Sequence, residues 1–166
     1  MTRSMGELIA VIGVRDPSVL ARLGGVVAET PSPLDANADV FVHDLADRAT
    51  LALVGLAGRG AVRCHELSKV ERWRLALARA VTTRRAPVIV DCSSGAPVPR
   101  QGLGMLLLGL CDAGVTLVAV TDDDELAGHA DRVVTAREGR LVPSGPAGAA
   151  TLDRTRVIHE LLRGMT

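Results

Sequence analysis

Lysine is almost missing from this chain of 166 residues: Lys69 is the only one among 19 basic side chains, and all the others are arginine. Any chemistry that needs a lysine amine elsewhere is thereby excluded. Aromatic residues are nearly as scarce, with Phe41, Trp73 and no tyrosine, so the core must be packed with Ala, Val and Leu. The three cysteines, Cys64, Cys92 and Cys111, show no paired spacing. An odd count argues against a closed disulfide framework and predicts a reducing, cytoplasmic setting. Neither sign of charge prevails, since 19 acidic residues balance the 19 basic ones, so no global field favours nucleic acid or anionic lipid. Long hydrophobic runs are lacking too. Met1 to Glu7 is polar and the apolar stretch Leu8 to Val14 is too short for a signal core. The apolar region from Leu103 to Val120 is interrupted by Asp112 and Gly114, which divide it into a helix and a strand instead of a membrane span.

What is present is concentrated between Leu67 and Asp91. Ser68 is a good N-cap with Glu71 three residues later as its capping-box partner, and Leu75, Ala76, Leu77, Ala78 and Ala80 carry strong helix propensity. Val88, Ile89 and Val90 then form a continuous apolar run, as in parallel strands covered on both faces, and Asp91 falls where that strand ends. In open α/β sheets ligands bind at that end. Similar strands are expected at Leu8 to Ile12, Val115 to Val120 and Arg132 to Thr135. Helices are expected over Asp39 to Leu56, with Phe41, Leu45, Ala49 and Ala52 at helical spacing, and over Gln101 to Ala113. Another should open at Asp16 and Pro17 after Gly13, a strand-glycine-helix start that suits a phosphate loop or a plain turn. Thr30 to Asn37 reads as a loop.

Leu67, Ser68, Arg74, Leu75, Ala76, Leu77, Ala78, Arg79 and Ala80 resemble the signature L-S-G-G-Q-x-Q-R-φ-A-L-A-R-A of the nucleotide-binding domain of ATP-binding cassette (ABC) proteins, where φ is apolar. Val88, Ile89, Val90 and Asp91 resemble that family's Walker B strand. Thr121 to Ala127, Ala130 to Val133 and Glu138 to Leu141 resemble its T-H-D-x-x-x-A, A-D-R-φ and D-G-R-φ series. The resemblance implies an α/β, three-layer domain like the P-loop NTPases, with a mainly parallel sheet. Residues 1–143 would form a shortened, degenerate cassette carrying an abbreviated helical insert at about 39–80. Residues 144–166 would be a linker and a terminal helix over Leu152 to Leu162, whose apolar face docks on the domain or on a partner. By that comparison the family's antiparallel β subdomain, with its adenine-stacking aromatic, would be missing or vestigial.

The residues that would touch ATP are those that differ. The phosphate loop G-x-x-x-x-G-K-[ST] ends in a lysine for the outer phosphates and a hydroxyl for magnesium. Here Gly13 is followed by Arg15 and Ser18, with Val19 at the lysine's place and Leu20 at the hydroxyl's. Lys69 and Val70 replace the two glycines of the signature. Cys92 takes the place of the glutamate that polarises water, and a thiol does not accept a proton as a carboxylate does. Asp122 stands where the switch histidine would donate to the terminal phosphate, which a carboxylate would repel.

These departures imply a catalytically inactive protein that serves as partner or regulator of an ABC ATPase, of a permease subunit or of itself. It would need no cofactor and would meet the membrane only at its cytoplasmic face through a permease. ATP and magnesium would enter if the site were shared, with Ser68 and Lys69 completing the site of an intact ATPase. They would also enter if the site were rebuilt, with Arg15 for the lysine and Asp122 for the base. Two further readings are a thiol enzyme using Cys92 and a metal site. The metal site would use either the acids Asp122 to Glu125 or Cys64, His65, Cys92 and Cys111, whose spacing does not suit zinc.

Overall fold

The computed structural model describes residues 6–14, 26–27, 39–83, 87–96, 98–99, 101–138 and 140–143. Among these residues six strands form one sheet: β1 (Leu8–Ile12), β2 (Val26–Val27), β3 (Val88–Asp91), β4 (Leu117–Val120), β5 (Arg132–Arg137) and β6 (Arg140–Pro143). Their order is β2-β3-β4-β1-β5-β6. Every pairing is parallel except β5 with β6, an antiparallel hairpin whose turn places Glu138 at φ 50°. The helices are α1 (Val42–Leu45), α2 (Arg48–Leu53), α3 (Lys69–Thr83), α4 (Leu103–Asp112) and α5 (Asp124–Gly128), with a 3₁₀ turn at Cys64–Glu66.

β1, β4 and β3 up to Val90 are apolar because both of their faces are buried, whereas β5 and β6 carry Arg132, Thr135, Arg137 and Arg140 and are less covered. Successive side chains point to opposite faces. Leu8, Val88, Val90, Leu117 and Ala119 join one buried cluster with α3 and α4. Ile9, Val11, Ile89, Val118, Val120 and Val134 form the second. The expected mainly parallel α/β architecture is thus present, with strand bounds within two residues of those read from the sequence.

The start of α3 has the capping box its sequence predicts. Ser68 donates its amide to Glu71 Oε2 at 2.9 Å, and the Glu71 amide donates to Ser68 Oγ at 3.2 Å. Glu71 also pairs with Arg59 at 2.8 Å, tying α3 to the segment after α2. The Ser68 amide, first among these contacts, holds the Glu71 carboxyl below the usual range. A depressed folded-state pKa adds stability above the unfolded value, and that stability is lost as pH falls through the folded one. The stability difference between wild type and Glu71→Gln should therefore shrink on acidification from about pH 6 to about pH 3, as measured by urea unfolding.

The helix expected over Asp39 to Leu56 is instead two short ones. Asp47 accepts from the Thr50 amide at 2.9 Å and the Thr50 hydroxyl at 2.7 Å, which caps α2 and leaves Ala46 extended at φ −153°. The buried residues are Val42, Ala46, Thr50, Leu51 and Val54, not the Phe41, Leu45, Ala49 and Ala52 stripe. Phe41 precedes α1 in a bridge to Arg63, whose guanidinium lies 4.6 Å from its ring centroid. After α2, Gly55 turns the chain at φ 77°, and a Cβ there would lie 2.0 Å from Arg74 Nη1, which donates to the Val54 carbonyl. This is glycine's usual place just past a helix end. The helix expected after Gly13, the loop Thr30 to Asn37 and the terminal segment 144–166 lie outside the described residues.

Candidate functional site

Pairing brings the carboxyl ends of three strands level. Val120 of β4 is opposite both Val11 of β1 and Asp91 of β3. The Thr121 amide donates to the Val11 carbonyl at 3.0 Å, and the Cys92 amide to the Val120 carbonyl at 2.8 Å. Gly13 leaves β1 at φ 75°, and a Cβ there would lie 3.0 Å from the Ala136 carbonyl oxygen. Arg15 and Ser18, the other expected members of a phosphate loop, lie outside the described residues.

The start of β1 is held equally firmly. Asp131 accepts from the Leu8 amide at 2.8 Å and returns its own amide to the Leu8 carbonyl at 2.8 Å. Arg132 forms an ion pair with Glu7. The A-D-R stretch therefore fixes β1 at its amino end, a structural task.

At the carboxyl edge, the exposed Asp91 accepts the Ser93 amide on Oδ1 at 3.0 Å. Ser94 makes two bonds to Asp122: its amide to Oδ1 at 3.0 Å and its hydroxyl to Oδ2 at 2.8 Å. The Ser94 hydroxyl, above all, holds the Asp122 carboxyl below the ordinary aspartate range. Asp123 is the N-cap of α5, accepting the amides of Glu125 and Leu126. The loop after β3 and the loop after β4 are thus joined side chain to backbone. Sequence reasoning missed this contact, because nothing in the spacing of residues 94 and 122 pairs them.

Cys92 is 5% exposed, and burial, more than the neighbouring Asp91 charge, pushes its thiol up to about 12. A thiol so placed is protonated at neutral pH, and the thiolate is the reactive form.

A cleft of about 530 Å³ opens between these loops and the start of α4. Among the described residues, Asp122, Asp123 and Glu125 line it with His129, Val98 and Leu103. Three carboxylates face the cleft, and both Ser94 donors are already taken by Asp122. Among the described residues no three His, Cys, Asp or Glu side chains converge to hold a metal ion.

Ser68 and Lys69 are both exposed at the start of α3. No hydrogen bond or ion pair among the described residues joins them to the carboxyl edge. The sequence-predicted positions fall into two groups, Gly13, Asp91, Cys92 and Asp122 at the sheet and Ser68 and Lys69 on the helix. No helix among the described residues is long and apolar enough to cross a membrane.

No family model matches the chain. It is 41% identical over 99 residues to the lipoprotein-releasing system ATP-binding protein LolD of Bordetella avium, a match covering 58% of this chain and 43% of that protein. It is 35% identical over 138 residues to the cobalt import ATP-binding protein CbiO of Rhodobacter capsulatus, covering 78% of this chain and 42% of that one. Against the macrolide export ATP-binding/permease protein MacB of Rhodopirellula baltica it is 38% identical over 112 residues, 66% of this chain and 16% of that one. The chain therefore spans less than half the length of each of these three relatives. Among solved structures, CbiO1 of Clostridium perfringens, part of an ABC transporter complex, superposes with a TM-score of 0.60 at 16% identity, covering 99% of this chain and 84% of that one. An ATP-binding cassette of an ABC transporter in its ADP conformation gives 0.61 at 14%, covering 96% and 89%. At such identities the structures speak for the fold, and the sequence matches carry the ancestry. The chain is a relative of the ATP-binding proteins of ABC transporters, matching them over part of their length.

Proposed function

We propose that this chain is a non-catalytic, cassette-like protein that works as a partner or regulatory subunit of an ABC transporter or related ATPase, in the cytoplasm or at the membrane's cytoplasmic face. The observation that carries the reading is the switch position. Asp122 offers a carboxylate where the family would present a donor, and Ser94 occupies both its oxygens. Cys92 supports it, being buried and protonated where the family would place a base. So does the lack of any lysine but Lys69. Losing several groups that act on the same phosphate leaves little turnover even when their effects are not additive. Calorimetry with magnesium ATP should show no saturable heat, and phosphate release should stay at the background rate in wild type and in Asp91→Asn alike. Micromolar binding, or release abolished in the variant, would overturn the reading and favour a rebuilt ATPase site.

A second reading keeps nucleotide, with Ser68 and Lys69 completing the ATP site of an intact partner. The exposure of both residues at the helix start favours it. The bulk of Lys69 and Val70 in place of glycine works against close approach. Adding this chain to its candidate ATPase and measuring turnover separates the two, since only the second reading predicts a change that Lys69→Ala removes. The thiol-enzyme alternative asks Cys92 to ionise in a site that disfavours the thiolate, so it ranks below both.

A further inference from the structure

We propose that Asp122 is a positioning residue for Asp91, acting through the Ser93–Ser94 turn. Two successive backbone amides are accepted by the two acids at the starts of the loops after β3 and β4, Ser93 to Asp91 at 3.0 Å and Ser94 to Asp122 at 3.0 Å. The turn is anchored on its strand side by Cys92, which is buried and hydrogen-bonded to Val120. On its far side the turn has its own bond, Ala96 amide to Ser93 carbonyl at 3.0 Å, and the two contacts from Ser94 to Asp122.

Asp122 is a firm base for that hold. The residue before it, Thr121, is 3% exposed, donates its amide to Val11 and accepts the Asp123 amide on Oγ1 at 3.0 Å. The residue after it caps α5. The side chain thus projects from a segment fixed to β1 on one side and to a helix start on the other. Through Ser94 it sets where the Ser93 amide points, and hence the orientation of the Asp91 carboxylate. The loops after β3 and β4 then move as one body. The inference rests on this geometry and not on the reading of the protein as inactive.

Backbone hydrogen exchange by NMR on the full chain without nucleotide tests it, so its failure is distinguishable from failure of the functional proposal. In Asp122→Ala the amides of Ser93 and Ser94 should exchange about tenfold faster, as expected when the hydrogen bonds that fix a loop are lost. The Asp91 carboxyl carbon should shift, while Val90 and Ala119 in the strands keep their wild-type rates. Asp122→Asn retains an acceptor oxygen and should keep the Ser94 amide slow. Unchanged Ser93 exchange and an unmoved Asp91 signal in Asp122→Ala would overturn the proposal. Equal acceleration at Val90 and Ala119 would also overturn it, by placing the role of Asp122 in overall stability.

Discussion

Trp73→Ala is expected to lower the melting temperature by about 10 °C, because truncating a buried Trp costs about 3–5 kcal/mol and each kcal/mol moves a domain of this size by about 2–4 °C. Trp73 is 1% exposed and heads the fully buried side chains by volume. It belongs to the cluster that contains Leu51, Val54 and Leu56 from α2 and the turn after it and Val88 and Val90 from the sheet. The chain has one other aromatic residue, Phe41, and it lies half-buried in a bridge to Arg63 before α1. Aliphatic neighbours relax only partly into a hole of indole size. With total stability of about 5–15 kcal/mol for such domains, the loss is a large fraction. Circular dichroism is the suitable probe, since the variant lacks the only indole. A melting temperature within a degree of wild type would mean that the surrounding Leu and Val side chains collapse into the space.

Gly6→Ala should be comparably damaging, for a steric reason. A Cβ on Gly6 would stand 2.0 Å from the Val115 carbonyl oxygen, 2.3 Å from its carbonyl carbon and 2.7 Å from its nitrogen. All three are backbone atoms, so no side-chain rotation relieves the overlap. Nor can residue 6 step aside freely, because its amide donates to the Cys111 carbonyl at 2.8 Å. The approach of β1 or the turn between α4 and β4 must move, at a cost on the order of 3 kcal/mol or more. Gly109 is the internal control: a Cβ there meets nothing among the described residues within 4 Å, and it lies inside α4. Gly109→Ala should be neutral or stabilising by up to about 1 kcal/mol through helix propensity. Urea midpoints of the two variants should fall on opposite sides of wild type, or the Gly109 variant should coincide with it.

The parts of the fold legible in the sequence are those whose signals are local. The Ser68–Glu71 box was readable because both partners lie within one helical turn, and its hydrogen bonds are present. Strands β1, β3 and β4 were readable because burial on both faces leaves uninterrupted Val, Ile, Leu and Ala. The break between α1 and α2 carried a signal as well, Asp47 followed three residues later by Thr50. The apparent Phe41-to-Ala52 stripe outweighed it. Helical spacing reports a helix only when the same face is buried, and here Ala49 and Ala52 are exposed. The places of the candidate residues were legible, but their contacts were not. Asp91, Cys92 and Asp122 could be placed at strand ends, yet the Ser94–Asp122 pair joins residues 28 apart in the chain. No periodicity encodes such a pairing; it follows from β3 and β4 being neighbours.

Strand order has a consequence for how the molecule is made. β1 is paired on both sides by segments that come much later, since Leu8 lies beside Leu117 and Ile9 beside Arg132. During synthesis Leu8–Ile12 leaves the ribosome more than a hundred residues before either neighbour exists, so its apolar side chains wait uncovered. Non-local pairing of this kind slows folding and lengthens the period in which nascent chains can stick to one another. Yield on overexpression should depend more on translation speed and chaperone supply than on the stability of the finished sheet.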